Sequence, residues 1–295
     1  MKGLLCKAIA GFYYVHVGDE IFECKARGSF RKEGISPIVG DFVEISVDLD
    51  KKGVIESIYE RKNALIRPSV ANIDKLFIVS SFSTPSPNLL IIDRIIALSV
   101  FYNIVPVVVF NKCDLGDFSK YKRIYENSGF KTLVVSAQTG EGIESLRKEL
   151  NDCTSAFTGN SGVGKSSLIN LLFPNLSLLT GEVSTKLGRG RHTTRHTELF
   201  KHSYGGYVAD TPGFSSLDNQ IGSIEFRDSL AECFPDFKGF INNCKFNDCL
   251  HIGEKGCGIG EAVLNGNIEK SRHDNYKTIY NELKSLKNWD INKKR

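Results

Sequence analysis

Residues Gly159-Asn160-Ser161-Gly162-Val163-Gly164-Lys165-Ser166 carry glycines, a lysine and a hydroxyl at the spacing G-x-x-x-x-G-K-[ST]. That spacing suits phosphate chemistry. Glycine lets successive backbone N–H groups converge on phosphate oxygens, and a helix N-terminus just beyond them already favours anions. Lys165 would reach the β- and γ-phosphates of a nucleoside triphosphate. The Ser166 hydroxyl would ligate Mg²⁺, with Ser167 also beside the nucleotide. Ala156-Phe157-Thr158 reads as the strand before the loop, and Lys165 through Leu172 as the helix after it. A structural Gly-rich turn is the competing reading, and strand, motif and helix together count against it.

Hydrolysis needs a second metal contact and an oriented water. Asp210-Thr211-Pro212-Gly213 follows the apolar strand Tyr207-Val208-Ala209, so Asp210 would hold the Mg²⁺ shell and the Gly213 N–H would meet the γ-phosphate. Between the two lies Gly188-Arg189-Gly190-Arg191-His192-Thr193-Thr194-Arg195-His196. Thr193 or Thr194 would complete the Mg²⁺ shell, with Thr194 favoured. Many GTP hydrolases place a water-orienting glutamine directly after the Asp-x-x-Gly segment, where this chain has Phe214. A phenyl ring offers water no hydrogen bond. His192, or else His196, is then expected to orient the water once a partner orders the loop; both histidines could instead be surface groups or contacts to nucleic-acid phosphate. Lys165, Thr194 and His192 make up the expected catalytic set.

Base selection falls to Asn111-Lys112-Cys113-Asp114, at the end of the apolar run Ile104–Phe110. The Asp114 carboxylate can accept from both N1–H and the exocyclic amine of guanine, and adenine offers no such donor pair. Asn111 would brace the neighbouring loop and donate to the base, and the Lys112 stem would pack on its face. Ser136-Ala137, after the next strand, would direct the Ala137 N–H at the guanine oxygen. These base-reading segments precede the phosphate loop, so the domain is circularly permuted. Domain termini lie at the surface and often close together, so such a cut preserves the sheet.

Cys244, Cys249, His251 and Cys257 form C-x4-C-x-H-x5-C. Three thiolates and an imidazole fill a tetrahedral Zn²⁺ shell with no open position, so one structural zinc is expected. A disulfide is the alternative, disfavoured in a reducing compartment.

These groups need a frame. The chain has 295 residues, 41% of them hydrophobic and 24% charged, with a net charge of only +4. That is ordinary for globular domains and excludes a strongly polyanion-seeking composition. Leu89 to Phe110 is broken by Asp93, Arg94, Asn103 and Pro106, which argues against a membrane span, and the N-terminus does not read as a signal peptide. A cytoplasmic location follows. Residues 1–66 read as about five short strands, among them 12–17, 21–24, 41–47 and 54–59, an OB-fold barrel and candidate RNA binder. Lys25 to Lys32 supplies four cations and Phe30 on an expected loop, suited to a nucleic-acid backbone and base or else a solvated turn. Residues 67–220 alternate strand and helix, a P-loop α/β domain. Residues 221–295 read as a mainly helical zinc domain. There Tyr276, Ile279, Tyr280 and Leu283 recur at helical spacing and Lys270, Arg272, Lys277, Lys284 and Lys287 supply charge, for RNA or a solvated face.

The permuted order, GNSGVGKSS, RHTT, DTPGF and the CxFxDCxHxxExGC signature together closely resemble the circularly permuted ribosome small-subunit biogenesis GTPases, called RsgA or YjeQ/YloQ. The likeness spans the whole chain, including Pro37-Ile38-Val39-Gly40-Asp41. It implies an OB-fold, a GTPase domain and a zinc domain. It also implies a bacterial cytoplasmic role in late maturation of the 30S subunit, with rRNA contact, GTP and GDP as ligands, and hydrolysis stimulated by the subunit. A monomer is expected. Arg195 departs from the family, which commonly continues the threonine run there, and this leaves the Mg²⁺-binding threonine open. The alternative function is a zinc-containing RNA-binding regulator whose GTP site only senses nucleotide state.

Overall fold

The computed structural model describes residues 1–32, 34–48, 52–82, 86–174, 197–210 and 224–285. The chain opens with β1 (Lys2–Ile9), β2 (Phe12–Val17), β3 (Glu20–Ala26), helix α1 (Gly28–Lys32), β4 (Phe42–Val47) and β5 (Lys52–Ile58). A short ladder of β6 (Ala64–Leu65) and β7 (Val70–Ala71) follows. Then come β8 (Lys75–Ser81), α2 (Leu89–Phe101), β9 (Val105–Asn111), α3 (Ser119–Asn127), β10 (Lys131–Val134) and α4 (Ile143–Glu149). Next are β11 (Thr154–Thr158), α5 (Lys165–Leu172), β12 (Glu198–Lys201) and β13 (Tyr207–Asp210). The C-terminal region contributes α6 (Ile224–Asp228), α7 (Gly258–Leu264) and α8 (Lys270–Ser285). No helix among the described residues is long and apolar enough to cross a membrane.

The chain forms two compact units. The first holds residues 1–75, 147–157 and 166–214. Its five N-terminal strands close on themselves in the order β1-β2-β3-β5-β4, and β4 returns to pair with β1. Closure satisfies both edges and leaves an OB-like barrel. Period-2 alternation builds its interior: Val43 and Ile45 point in beside Leu5, Val15 and Ile55, and Phe42 is exposed. Lys2–Ile9 is the strand that the sequence reading did not name. The basic segment expected as a loop is instead closed by α1, and Phe30 is buried at 7% exposure, so its ring is withdrawn from any base. Asp41, placed by the sequence in a strand, sits just before β4. Its buried carboxylate accepts from the Ile38 N–H at 2.8 Å and from Arg61 at 2.6 and 2.8 Å. In the same unit β11 runs parallel to β13, β13 pairs antiparallel with β12, and β12 meets β1 at Lys7 and Glu198.

The second unit holds residues 76–146, 158–165 and 215–295. Strands β8, β9 and β10 lie side by side, with Phe110 opposite Val134 in parallel register. Leu76 to Val79 and Val107 to Phe110 are almost wholly buried, as continuous apolar runs are when both sheet faces are covered. Asn88 caps α2 by accepting the Leu90 and Ile91 N–H groups. Ala97 and Leu98 of α2 share a core with Phe226, Phe234, Phe237 and Ile279 of the C-terminal region.

Arg272 corrects the sequence reading. Offered there as surface charge, it is 0% exposed, because it lies four residues before Tyr276 on the face that buries Tyr276, Ile279 and Leu283.

Candidate active site and metal centre

The phosphate loop is shaped by close backbone approach. Gly159, at φ +148°, would put a Cβ 2.2 Å from the Val79 carbonyl, and Gly164, at φ +86°, would put one 2.3 Å from Asn111 Nδ2. Neither position admits a side chain. Asn160, Ser161, Ser166 and Ser167 are exposed at the loop and the start of α5, as ligand contacts must be, and Val163 is buried beneath. Lys165 Nζ lies 3.4 Å from the Gly159 carbonyl, folded back over its own loop.

The segments expected to read the base are wired to that loop. Asn111, the last residue of β9, donates through Nδ2 to the Val163 carbonyl at 2.9 Å, and Lys112 Nζ donates to the Gly162 carbonyl at 2.8 Å. Lys112 takes φ +66°, a left-handed turn that swings the chain out of the strand. Asn111 Oδ1 accepts the Ala137 N–H at 3.1 Å. The groups that the sequence assigned to the base are thus also the groups that join three separate segments. Asp114 is exposed, and its Oδ1 accepts from the Ser136 hydroxyl at 2.5 Å. Ser136 is buried, and its oxygen in turn accepts the Gln138 and Thr139 N–H groups at 3.2 and 3.1 Å. Those two donors force the hydroxyl proton toward Asp114 and fix the carboxylate. Each carboxylate oxygen keeps a lone pair for a further donor pair. Asn111 and Lys112 as struts to the phosphate loop are what sequence reading specified least.

Asp210 is the last residue of β13. Gly213, Phe214, His192, Thr193, Thr194, Arg195 and His196 lie outside the described residues. Of the expected Mg²⁺ ligands, Ser166 is the one whose side chain is described.

Cys244, Cys249, His251 and Cys257 come together as the sequence requires, with their ligand atoms all within 4.8 Å of one another. His251 Nδ1 lies 3.4 Å from Cys244 Sγ and 3.6 Å from Cys257 Sγ. A tetrahedron built on zinc bonds of about 2.3 Å to sulfur and about 2.0 Å to nitrogen has edges of roughly 3.5 Å to 3.8 Å. The donor chemistry fits too. Burial, then the neighbouring Cys257 and Cys244, push the Cys249 thiol up to about 12. A divalent cation is what ionises such a cluster. Burial also lowers the His251 pKa and favours the neutral imidazole that a metal takes. Gly258 and Gly260 N–H groups point at Cys244 and Cys257 sulfur at 3.3 and 3.4 Å. The loop is held from outside: Glu254 accepts the N–H groups of Leu250, Ile252 and Gly253, His273 contacts the His251 carbonyl at 2.8 Å, and Tyr276 donates to that of Leu250 at 2.9 Å. These residues could hold one zinc, which would supply structure and no reactive position.

Comparison with known proteins settles the family. Residues 58–220 match the model described as RsgA GTPase, and residues 2–55 match the RsgA N-terminal domain. The chain belongs to the RsgA GTPase family. It is 45% identical to the small ribosomal subunit biogenesis GTPase RsgA of Caldanaerobacter subterraneus subsp. tengcongensis, over 96% of each chain. The solved structure of YloQ, described as a circularly permuted GTPase, superposes with a TM-score of 0.81 at 35% identity, covering 97% of this chain and 96% of that one. YjeQ from Thermotoga maritima gives 0.81 at 36% identity over 97% and 99%. The expected fold stands: an OB-like barrel, a circularly permuted GTPase domain and a Cys/His cluster fit for zinc. This RsgA-family chain is a GTP hydrolase, and GTP hydrolysis in such a protein uses Mg²⁺.

Proposed function

We propose that the protein hydrolyses GTP while bound to the 30S ribosomal subunit late in its maturation, in the cytoplasm and as a monomer, and that the subunit raises the rate. Asp114, with Asn111, Lys112, Ser136 and Ala137, selects guanine. The loop 159–167 holds the phosphates, with Lys165 on the β- and γ-phosphates. Ser166, Thr194 and Asp210 hold Mg²⁺, Gly213 meets the γ-phosphate, and His192 orients water. The domains divide as 1–66, 67–220 and 221–295, the first and last facing rRNA.

One observation carries this reading: Asn111 and Lys112 are hydrogen-bonded to the Val163 and Gly162 carbonyls, which ties the segment proposed to select guanine to the one proposed to hold phosphate. Relatives named small ribosomal subunit biogenesis GTPase match along 96% of the chain and support the choice of partner. The test is GTP turnover with and without purified 30S subunits, run on wild type and Lys165→Ala. Turnover is expected to be slow alone, to rise strongly with subunits, and to vanish in Lys165→Ala. Equal rates with and without subunits contradict the proposal.

A further inference from the structure

Among the described residues Arg272 is the largest fully buried side chain, and nothing in GTP hydrolysis accounts for it. Its Nη1 donates to Asp93 Oδ1 at 2.7 Å, and its Nη2 and Nε donate to the two Asp236 oxygens at 2.6 and 3.2 Å. Its guanidinium carbon sits 4.9 Å from the Phe130 ring centre and 4.7 Å from that of Phe234. Asn275 Nδ2 donates to the remaining Asp93 oxygen at 2.6 Å. One cation thus joins α8, the turn at 235–237, the strand entry at Phe130 and α2.

A buried ion network is a poor source of net stability, since well-packed apolar residues often serve as well. Its geometry is demanding, however. A planar fork serving two carboxylates admits one arrangement, so it fixes the angle and register of the helix it grips.

The gripped helix is α2, and its opposite side faces the phosphate loop. Asn88, Ile91 and Ile95 share a narrow cleft with Gly159, Asn160 and Val163, holding about 20 Å³. That is room for about one water, so the loop has little slack against the helix. At 3.6 residues per turn Asp93 lies roughly opposite Ile91 and Ile95. A rigid helix therefore has the C-terminal region on one face and the phosphate loop on the other.

We infer that Arg272 is a positioning residue for the nucleotide phosphates: through Asp93 and α2 it sets the phosphate loop. The inference rests on the reading of 159–167 as the phosphate site. Disturbing the clamp is expected to weaken phosphate contacts and spare the Asp114 contact to the exocyclic amine, because Asp114 is fixed by the Ser136 hydroxyl, whose other bonds go to Gln138 and Thr139 and not to the phosphate loop.

The test uses full-length wild type, Arg272→Lys, Asn275→Ala, Glu282→Gln and Lys165→Ala. Zinc content, GDP affinity and the ratio of GDP to inosine diphosphate affinity are measured for each. Inosine diphosphate keeps the phosphates and lacks only the exocyclic amine. Zinc-loaded Arg272→Lys should lose at least fivefold in GDP affinity with its GDP-to-inosine ratio unchanged. Glu282→Gln, which removes the exposed Arg94 ion pair between the same two helices, should stay at wild-type affinity. A loss below fivefold in Arg272→Lys, a ratio that collapses with it, or an equal loss in Glu282→Gln overturns the inference. Should Arg272→Lys fail to fold, Asn275→Ala decides, with about a threefold loss expected and wild-type affinity contrary. If wild type binds GDP and Lys165→Ala binds it equally well, the phosphate-site reading itself fails and takes this inference with it.

Discussion

The base-reading corner and the cysteine cluster are both short polar loops, but they are held in different ways. The corner is self-supporting: Ser136 fixes Asp114, Asn111 ties Ala137 to Val163, and Lys112 reaches Gly162, all through side chains already on the chain. The cluster brings three thiols and an imidazole within 4.8 Å; Glu254, His273 and Tyr276 hold its loop from outside, but the four donor atoms themselves face one another. The proposed base-reading corner keeps its geometry through its own hydrogen bonds, whereas the cluster would be completed by an ion it could hold. A nucleotide can then come and go without remaking the corner, while zinc should stay for the life of the fold.

Removing zinc should break this contrast most visibly. Structural zinc sites contribute about 10 kcal/mol or more at neutral pH. Chelation, or Cys257→Ala, should therefore abolish hydrogen-exchange protection over α7 and α8. Guanine preference should persist; its disappearance would show that the corner borrows its order from the cluster. Next in size, Asp114→Ala should lower GDP affinity by roughly a hundredfold, the loss of two charge-assisted hydrogen bonds of about 1.5 kcal/mol each, measurable by calorimetry. Gly164→Ala forces a Cβ against Asn111 Nδ2 and strains a backbone at φ +86°, so it should cost about 1–3 kcal/mol of nucleotide affinity with zinc content unchanged.

An effect spread over a range of pH sets the acid background against which zinc loss must be read. His202 belongs to neither region. Its Nδ1 accepts the Tyr204 N–H at 3.2 Å, its ring packs 5.1 Å from that of Phe173, and burial lowers its pKa from 6.5 to about 4. The unfolded chain binds the proton below 6.5 and the folded chain only below about 4. Its contribution is whole above pH 6.5 and is lost as pH falls through that window, by about 1.4 kcal/mol per pH unit at most. Urea unfolding at several pH values should show this slope in wild type and a flatter one in His202→Leu.

Both loops were legible in the sequence because their chemistry is local. The Gly-rich loop sits between a strand and a helix that the apolar pattern marks, and the four residues that could hold zinc lie within 14 consecutive residues. The Arg272 clamp was not, because its partners Asp93 and Asp236 are 179 and 36 residues away. Two signals existed: Asp93 interrupts the apolar helix LLIIDRIIALSVF, and Arg272 shares helical register with Tyr276. Charge was read as surface because most charge is surface. Phe30 misled for a related reason, since an aromatic among cations suggests a stacking platform, yet on its short helix it is buried.

Segments 111–114, 136–137 and 159–167, in permuted order, are proposed to bind one guanine nucleotide. Calorimetric titration of wild type and Asp114→Asn with GDP, ADP and xanthosine diphosphate tests it directly. Wild type should bind GDP far more tightly than the other two, and Asp114→Asn should switch to xanthosine diphosphate, whose carbonyl replaces the amine that the carboxylate accepts. Equal binding of GDP and ADP by wild type, or an Asp114→Asn protein that still prefers GDP, would contradict the account.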